Sequence, residues 1–164
     1  MKKVKMTSVA VLVALTVIGA AIKIPAIIGS VALDAFPALL AGAIFAGPAG
    51  AIVGAMGHLL SALIGGMPMG PFHFIVAVEM AILAYLFAVL YRSGKKWLAG
   101  VFFVLGNTFA APLPFMFLIS KAFYVSLVPS LLIGSVLNTV IAFIIIPRLA
   151  RAMEPMLTRA KMNR

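Results

Sequence analysis

Residues 35–78 read AFPALLAGAIFAGPAGAIVGAMGHLLSALIGGMPMGPFHFIVAV, 44 consecutive positions without Asp, Glu, Lys or Arg. As a single helix, at about 1.5 Å per residue, the stretch would be roughly twice as long as a bilayer's hydrocarbon core is thick. It must break, and its Gly and Pro residues say where. Gly47-Pro48 marks one break; Gly65-Gly66-Met67-Pro68-Met69-Gly70-Pro71 is too rich in Gly and Pro to be helix and marks another. Three membrane spans follow, predicted over 35–46, 49–64 and 72–91. Asp34 reads as the N-cap of the first of them, with its carboxylate on the free first-turn amides and Pro37 tolerated in that turn.

The same reading extends outward. A span over 7–22 stops at Lys23 and Pro25, and an apolar connection over 24–33 follows, with Gly29 and Ser30 as its turn chemistry. Further spans are predicted over 97–119, kinked or ended early by Pro112 and Pro114, and over 123–146. The chain of 164 residues is 65% hydrophobic and 10% charged, with mean hydropathy +1.24. That excludes a soluble enzyme, a nucleic-acid-binding domain and a disordered tail. A β-barrel is excluded because its strands need apolar and polar residues in alternation. The expected fold is an all-α membrane protein: a compact bundle of six transmembrane helices in one domain, 1–164, ending in a basic cytoplasmic tail, 148–164. No internal repeat divides it.

Charge orients the bundle. Eleven of the thirteen Lys and Arg residues lie in three places: Lys2, Lys3 and Lys5; Arg92, Lys95 and Lys96; and Arg148, Arg151, Arg159, Lys161 and Arg164. Six spans put all three on one side, which the positive-inside rule makes cytoplasmic, so the net charge of +10 speaks of cell-membrane topology and not of nucleic acid. The basic start and the stretch ending Gly19-Ala20-Ala21 imitate a cleaved signal peptide. Losing span 1 would leave five spans with no reason for it to disappear.

Polar residues inside the membrane are expensive and default to a functional reading. The candidates are His58, Glu79, Asn107 and Asn138. His58 and Glu79 lie at matching depth, about 10 Å below the outer surface, so they either share a ligand or satisfy each other. The asparagines either join a site or bridge helices. His73, Lys23, Lys121 and Tyr124 fall at outer span ends, where interfacial anchoring is the alternative. In the outer loop Met67 and Met69 run into Phe72 and His73, a flexible apolar set able to close over a planar ligand, unless it is an inert linker. Metalloprotease, hydrolase and P-loop signatures are absent, and one acid within the bundle is too few for a two-carboxylate metal site. No catalytic residue, cofactor or metal is expected, and uptake against a gradient would need an external energy source.

Small residues complete the reading. Ala10 and Ala14 form an Ala-x-x-x-Ala pair in span 1, and Gly50, Gly54 and Gly57 line span 3. Together with Ala-Val-Leu-Val-Ala (10–14), Leu-Asp-Ala-Phe-Pro-Ala-Leu-Leu (33–40) and Phe-Ala-Gly-Pro-Ala-Gly (45–50), they make the whole chain resemble an S component of the energy-coupling factor (ECF) vitamin transporters. The resemblance implies a substrate-capturing subunit that docks through Ala10 and Ala14 on a transmembrane coupling protein driven by two cytosolic ATPases. The stretches 21–25, 29–34, 57–62 and 68–71 are most similar to S components that salvage α-ribazole, a cobalamin precursor. The ligand set would then be His58, Met67, Phe72, His73, Glu79, Asn107 and Tyr124. Pantothenate, a thiamine precursor, or a ligand-free assembly protein are the alternatives.

Overall fold

The computed structural model describes residues 2–25 and 30–162, with side chains over 6–23 and 32–155. Its helices are α1 (Lys2–Ala21), α2 (Phe36–Phe45), α3 (Gly47–Ile64), α4 (His73–Arg92), α5 (Lys96–Leu105), α6 (Leu113–Leu118) and α7 (Lys121–Met162). A π-helical segment, Gly106–Ala110, joins α5 towards α6, so that six helical passes form an all-α membrane bundle. Four stretches are long and apolar enough to cross a membrane: Gly47–Ile64, Gly70–Arg92, Lys96–Leu118 and Lys121–Pro155. The connection after α1 is a small antiparallel hairpin, β1 (Lys23–Pro25) with β2 (Ser30–Ala32), pairing Lys23 with Ala32. Gly29, read as its turn residue, lies outside the described residues.

Helix α2 is the centre of the bundle. It is 10 residues long, about half the hydrocarbon thickness, and it packs on α1, α3, α4 and α7. Every residue but Ile44 is buried, as suits a helix apolar on all sides. A Cβ at Gly50 of α3 would lie 3.0 Å from Gly42 Cα, 3.1 Å from the Ala84 carbonyl oxygen and 3.2 Å from that of Ala38. Three backbones meet there because only small residues occupy the seam.

Both ends of so short a helix leave orphan backbone groups, and other helices supply the partners. Asp34 does not cap α2, contrary to expectation. The helix starts one residue too late for it, with Ala35 at the N-cap and no side-chain bond of its own. The amides of Ala35 and Phe36 donate instead to Asn138 Oδ1 on α7, at 3.0 and 2.9 Å. Asn138 Nδ2 donates to the Ala32 and Gly134 carbonyls, at 3.0 and 2.8 Å, so both ends of the amide are engaged. At the opposite end Arg92 Nη1 donates to the Ala43 and Ile44 carbonyls, at 3.1 and 3.4 Å.

Other breaks fall close to their expected places, for particular reasons. The α2–α3 reversal is made by Ala46, at φ 106°, one residue before Gly47. Gly47 opens α3, where a Cβ would sit 2.6 Å from the Tyr85 ring. Helix α3 ends in a Schellman motif: Gly66 at φ 84° donates to the Leu63 carbonyl and Met67 to that of Ala62. The fifth span departs from α-helix at Gly106, well before its prolines. Pro112 offers no N–H to the Thr108 carbonyl, and the widened turn closes with Ala111 N–H on the Gly106 carbonyl at 2.8 Å. Helix α7 continues as one helix of 42 residues, Lys121–Met162, through Pro129, Pro147 and Pro155.

Candidate functional site

The two ends of the bundle differ in filling. Near the loop between α4 and α5, Phe87 is fully buried and its ring lies 5.6 Å from Tyr91, 6.4 Å from Phe103 and 6.2 Å from Phe143. Towards the β1–β2 hairpin the helices surround a partly open cavity of about 360 Å³, within the usual range for small-molecule sites. Val76 and Met80 of α4 with Leu127 and Leu131 of α7 provide apolar wall. Thr16, Asp34, His58, Asn107, Ser126, Ser130 and Ser135 bring polar groups to it, and Asn138 closes the side where α7 caps α2.

The hydrogen bonds already made decide what the polar groups still offer. Thr16 Oγ1 donates to the Leu12 carbonyl at 3.1 Å and Ser126 Oγ to that of Phe123 at 2.7 Å, so each keeps lone pairs. Asn107 Nδ2 donates to Ser135 Oγ at 2.8 Å, while Asn107 Oδ1 has no hydrogen-bond partner among the described residues. The carboxyl of Asp34 adds two oxygens, and burial raises its pKa above the ordinary carboxylate value. The wall is thus rich in acceptors and suits a ligand carrying several hydroxyls.

Two of the expected ligand residues, His58 and Asn107, line this cavity; Met67, Phe72, His73, Glu79 and Tyr124 are not among its lining residues. The expected pairing of His58 with Glu79 is replaced: His58 Nε2 lies 3.1 Å from Nδ1 of His73, which is buried at the start of α4. Six residues separate His73 from Glu79, and at about 100° per residue they occupy different faces of α4. Glu79 Oε2 is buried with no hydrogen-bond partner among the described residues. Phe72 packs edge-on to Phe115, with ring centres 6.0 Å apart, and Tyr124 donates to the Phe109 carbonyl at 3.4 Å. Among the described residues no group of three or more His, Cys, Asp or Glu side chains could hold a metal.

Sequence reasoning passed over Asp34 as a site residue and Thr16, Ser126, Ser130 and Ser135 altogether. Ser126, Ser130, Gly134 and Asn138 recur every four residues in an otherwise apolar helix. That spacing puts them on one face and was the available signal.

A second concavity, apolar, runs between α1 and α3 around Val9, Ala10, Val13, Ala49 and Ile52. Ala10 and Ala14 are both exposed on α1, although only Ala10 lines the groove. Comparison with characterised proteins and with solved structures finds no match. The family model described as ECF transporter, substrate-specific component, matches residues 4–158. The chain, a membrane bundle with a cavity lined by apolar and polar side chains and matched over nearly its whole length, belongs to the family of substrate-specific components of ECF transporters.

Proposed function

We propose that this chain captures α-ribazole in the cavity beside the β1–β2 hairpin and delivers it through an ECF module. The observation that carries this reading is the acceptor surplus of the wall: Thr16, Asp34, Asn107 and Ser126 face a ligand with lone pairs to fill. A ribose supplies matching hydroxyls, and the apolar strip of Val76, Met80 and Leu127 suits a flat benzimidazole. His58 and Asn107 are the polar contacts we assign, with Met67, Phe72 and Tyr124 forming the rim that closes from the loop and the start of α7. In this arrangement both termini and the 92–96 loop are cytoplasmic. The exposed face of Ala10 and Ala14 receives the transmembrane coupling protein, and two cytosolic ATPases drive the cycle.

Differential scanning fluorimetry of the purified protein against α-ribazole, pantothenate, thiamine precursors and other vitamins tests the ligand. A rise in melting temperature with α-ribazole, reduced in His58→Ala and Asn107→Ala, is the expected result. A rise with another vitamin alone would overturn the assignment of the substrate. No rise with any compound would overturn the capture reading. Single cysteines at Gly94 and Gly66 report topology, since the chain has no native cysteine. Only Gly66→Cys should react with an impermeant reagent from outside.

A further inference from the structure

A chain of hydrogen bonds connects the outer loop to the cavity and sets the protonation of both histidines. The Met69 amide lies 3.4 Å from His73 Nε2 and donates to it. A backbone N–H only donates, so Nε2 carries the lone pair and His73 is a neutral imidazole with its proton on Nδ1. That proton faces His58 Nε2 at 3.1 Å, which therefore accepts. An imidazole that accepts on Nε2 carries its own proton on Nδ1. A cationic His58 would set two N–H groups against each other. His58 Nδ1 has no hydrogen-bond partner among the described residues, and His58 lines the cavity.

We propose that His73 is a positioning residue that locks His58 in its Nδ1–H form, so that an acceptor-rich cavity presents one fixed N–H donor and selects ligands with an unprotonated ring nitrogen or a carbonyl oxygen facing it. The identity of that ligand rests on the function proposed above; the tautomer chain does not. In a ribosylated benzimidazole the ring nitrogen left unsubstituted by the sugar is such an acceptor, and the sugar hydroxyls meet the remaining wall. Binding then needs both halves of the pattern. A ligand with an N–H in place of that nitrogen would set donor against donor and leave His58 unpaired.

The chain contains two histidines, so long-range ¹H–¹⁵N correlation spectra of ¹⁵N-histidine-labelled protein in detergent read the tautomers directly, without ligand. Both imidazoles are expected neutral and protonated on Nδ1. His73→Phe removes the donor and should return His58 largely to the Nε2–H form that free imidazole side chains prefer. His73→Asn places an amide N–H close to the former Nδ1 and should preserve the His58 signature. With α-ribazole as probe, calorimetry should show affinity reduced about tenfold in His73→Phe and much less in His73→Asn. An Nε2–H His58 in the parent, or an unchanged His58 tautomer in His73→Phe, overturns the proposal. Should His73→Phe not fold, the parent spectrum and His73→Asn decide alone. A parent that shows the expected tautomers but ignores α-ribazole overturns the assigned substrate and leaves the lock standing.

Discussion

The two halves of the bundle use the same helices for opposite ends. Around Phe87, Tyr91, Phe103 and Phe143 the aromatic side chains interlock, and Phe87 and Phe103 are completely buried. About three turns away along α4, and about two to five turns away along α7, the cavity is lined by Val76, Ser126, Ser130 and Ser135, none of them aromatic. The difference teaches that one pair of helices can carry interlocked aromatic rings at one end and a cavity lined by small and polar side chains at the other. A bundle held rigid at one end can afford polar, incompletely filled space at the other.

The largest effect that sharpens this contrast is expected at the closed end. Ala10→Trp would fill the exposed α1 groove and block close helix approach, abolishing uptake in cells that carry the ECF module while leaving ligand affinity intact. Loss of affinity together with uptake would show that the two ends are not independent. Phe87→Ala should come next, destabilising the protein by about 3 kcal/mol or more through lost aromatic packing, read as a fall in melting temperature. Asn138→Ala leaves the buried amides of Ala35 and Phe36 without acceptors and should cost about 1–3 kcal/mol. Because Asn138 also borders the cavity, it should lower stability and ligand affinity together, whereas Phe87→Ala should lower stability alone.

The smallest effect concerns pH. The carboxyl of Asp34 has its pKa raised by burial above the ordinary value of 3.8, so folding favours its protonated form. The stability it contributes is fully present below that ordinary value and is lost as pH rises through the raised one. Melting temperatures measured over a pH series should decline with increasing pH on this account, and Asp34→Asn should flatten the slope. An unchanged slope would mean that Asp34 is ionised and solvated in the fold, an acceptor only, without the O–H donor of the protonated carboxyl.

How far the cavity was legible differs residue by residue. His58 and Asn107 stand out in any reading, because a lone imidazole or amide in an apolar run is costly unless it has a purpose. The serines of α7 were legible only through their spacing, since a hydroxyl satisfied by its own helix carries little cost and attracts no notice. Asp34 was noticed but given the wrong task. Its position ahead of an apolar helix fits a cap, and nothing local reveals that Asn138, more than a hundred residues later, already occupies that place.

Sequence by itself determined the solvent, the number of passes and the break after α3. Uncharged runs must be matched to a hydrocarbon thickness, Gly66 permits the left-handed close of α3, and the clustering of basic residues sets a preferred side; all three are properties of short stretches acting on their own. Tertiary structure alone decided what those helices do to one another. It withdrew α2 from lipid and capped it from α7 and α4, turned His58 to His73 rather than Glu79, and left space where small side chains converge. These outcomes depend on rotation about helix axes and on contacts between distant segments. A change of one residue in phase, about 100°, exchanges partner for stranger while leaving the hydropathy of every segment unchanged.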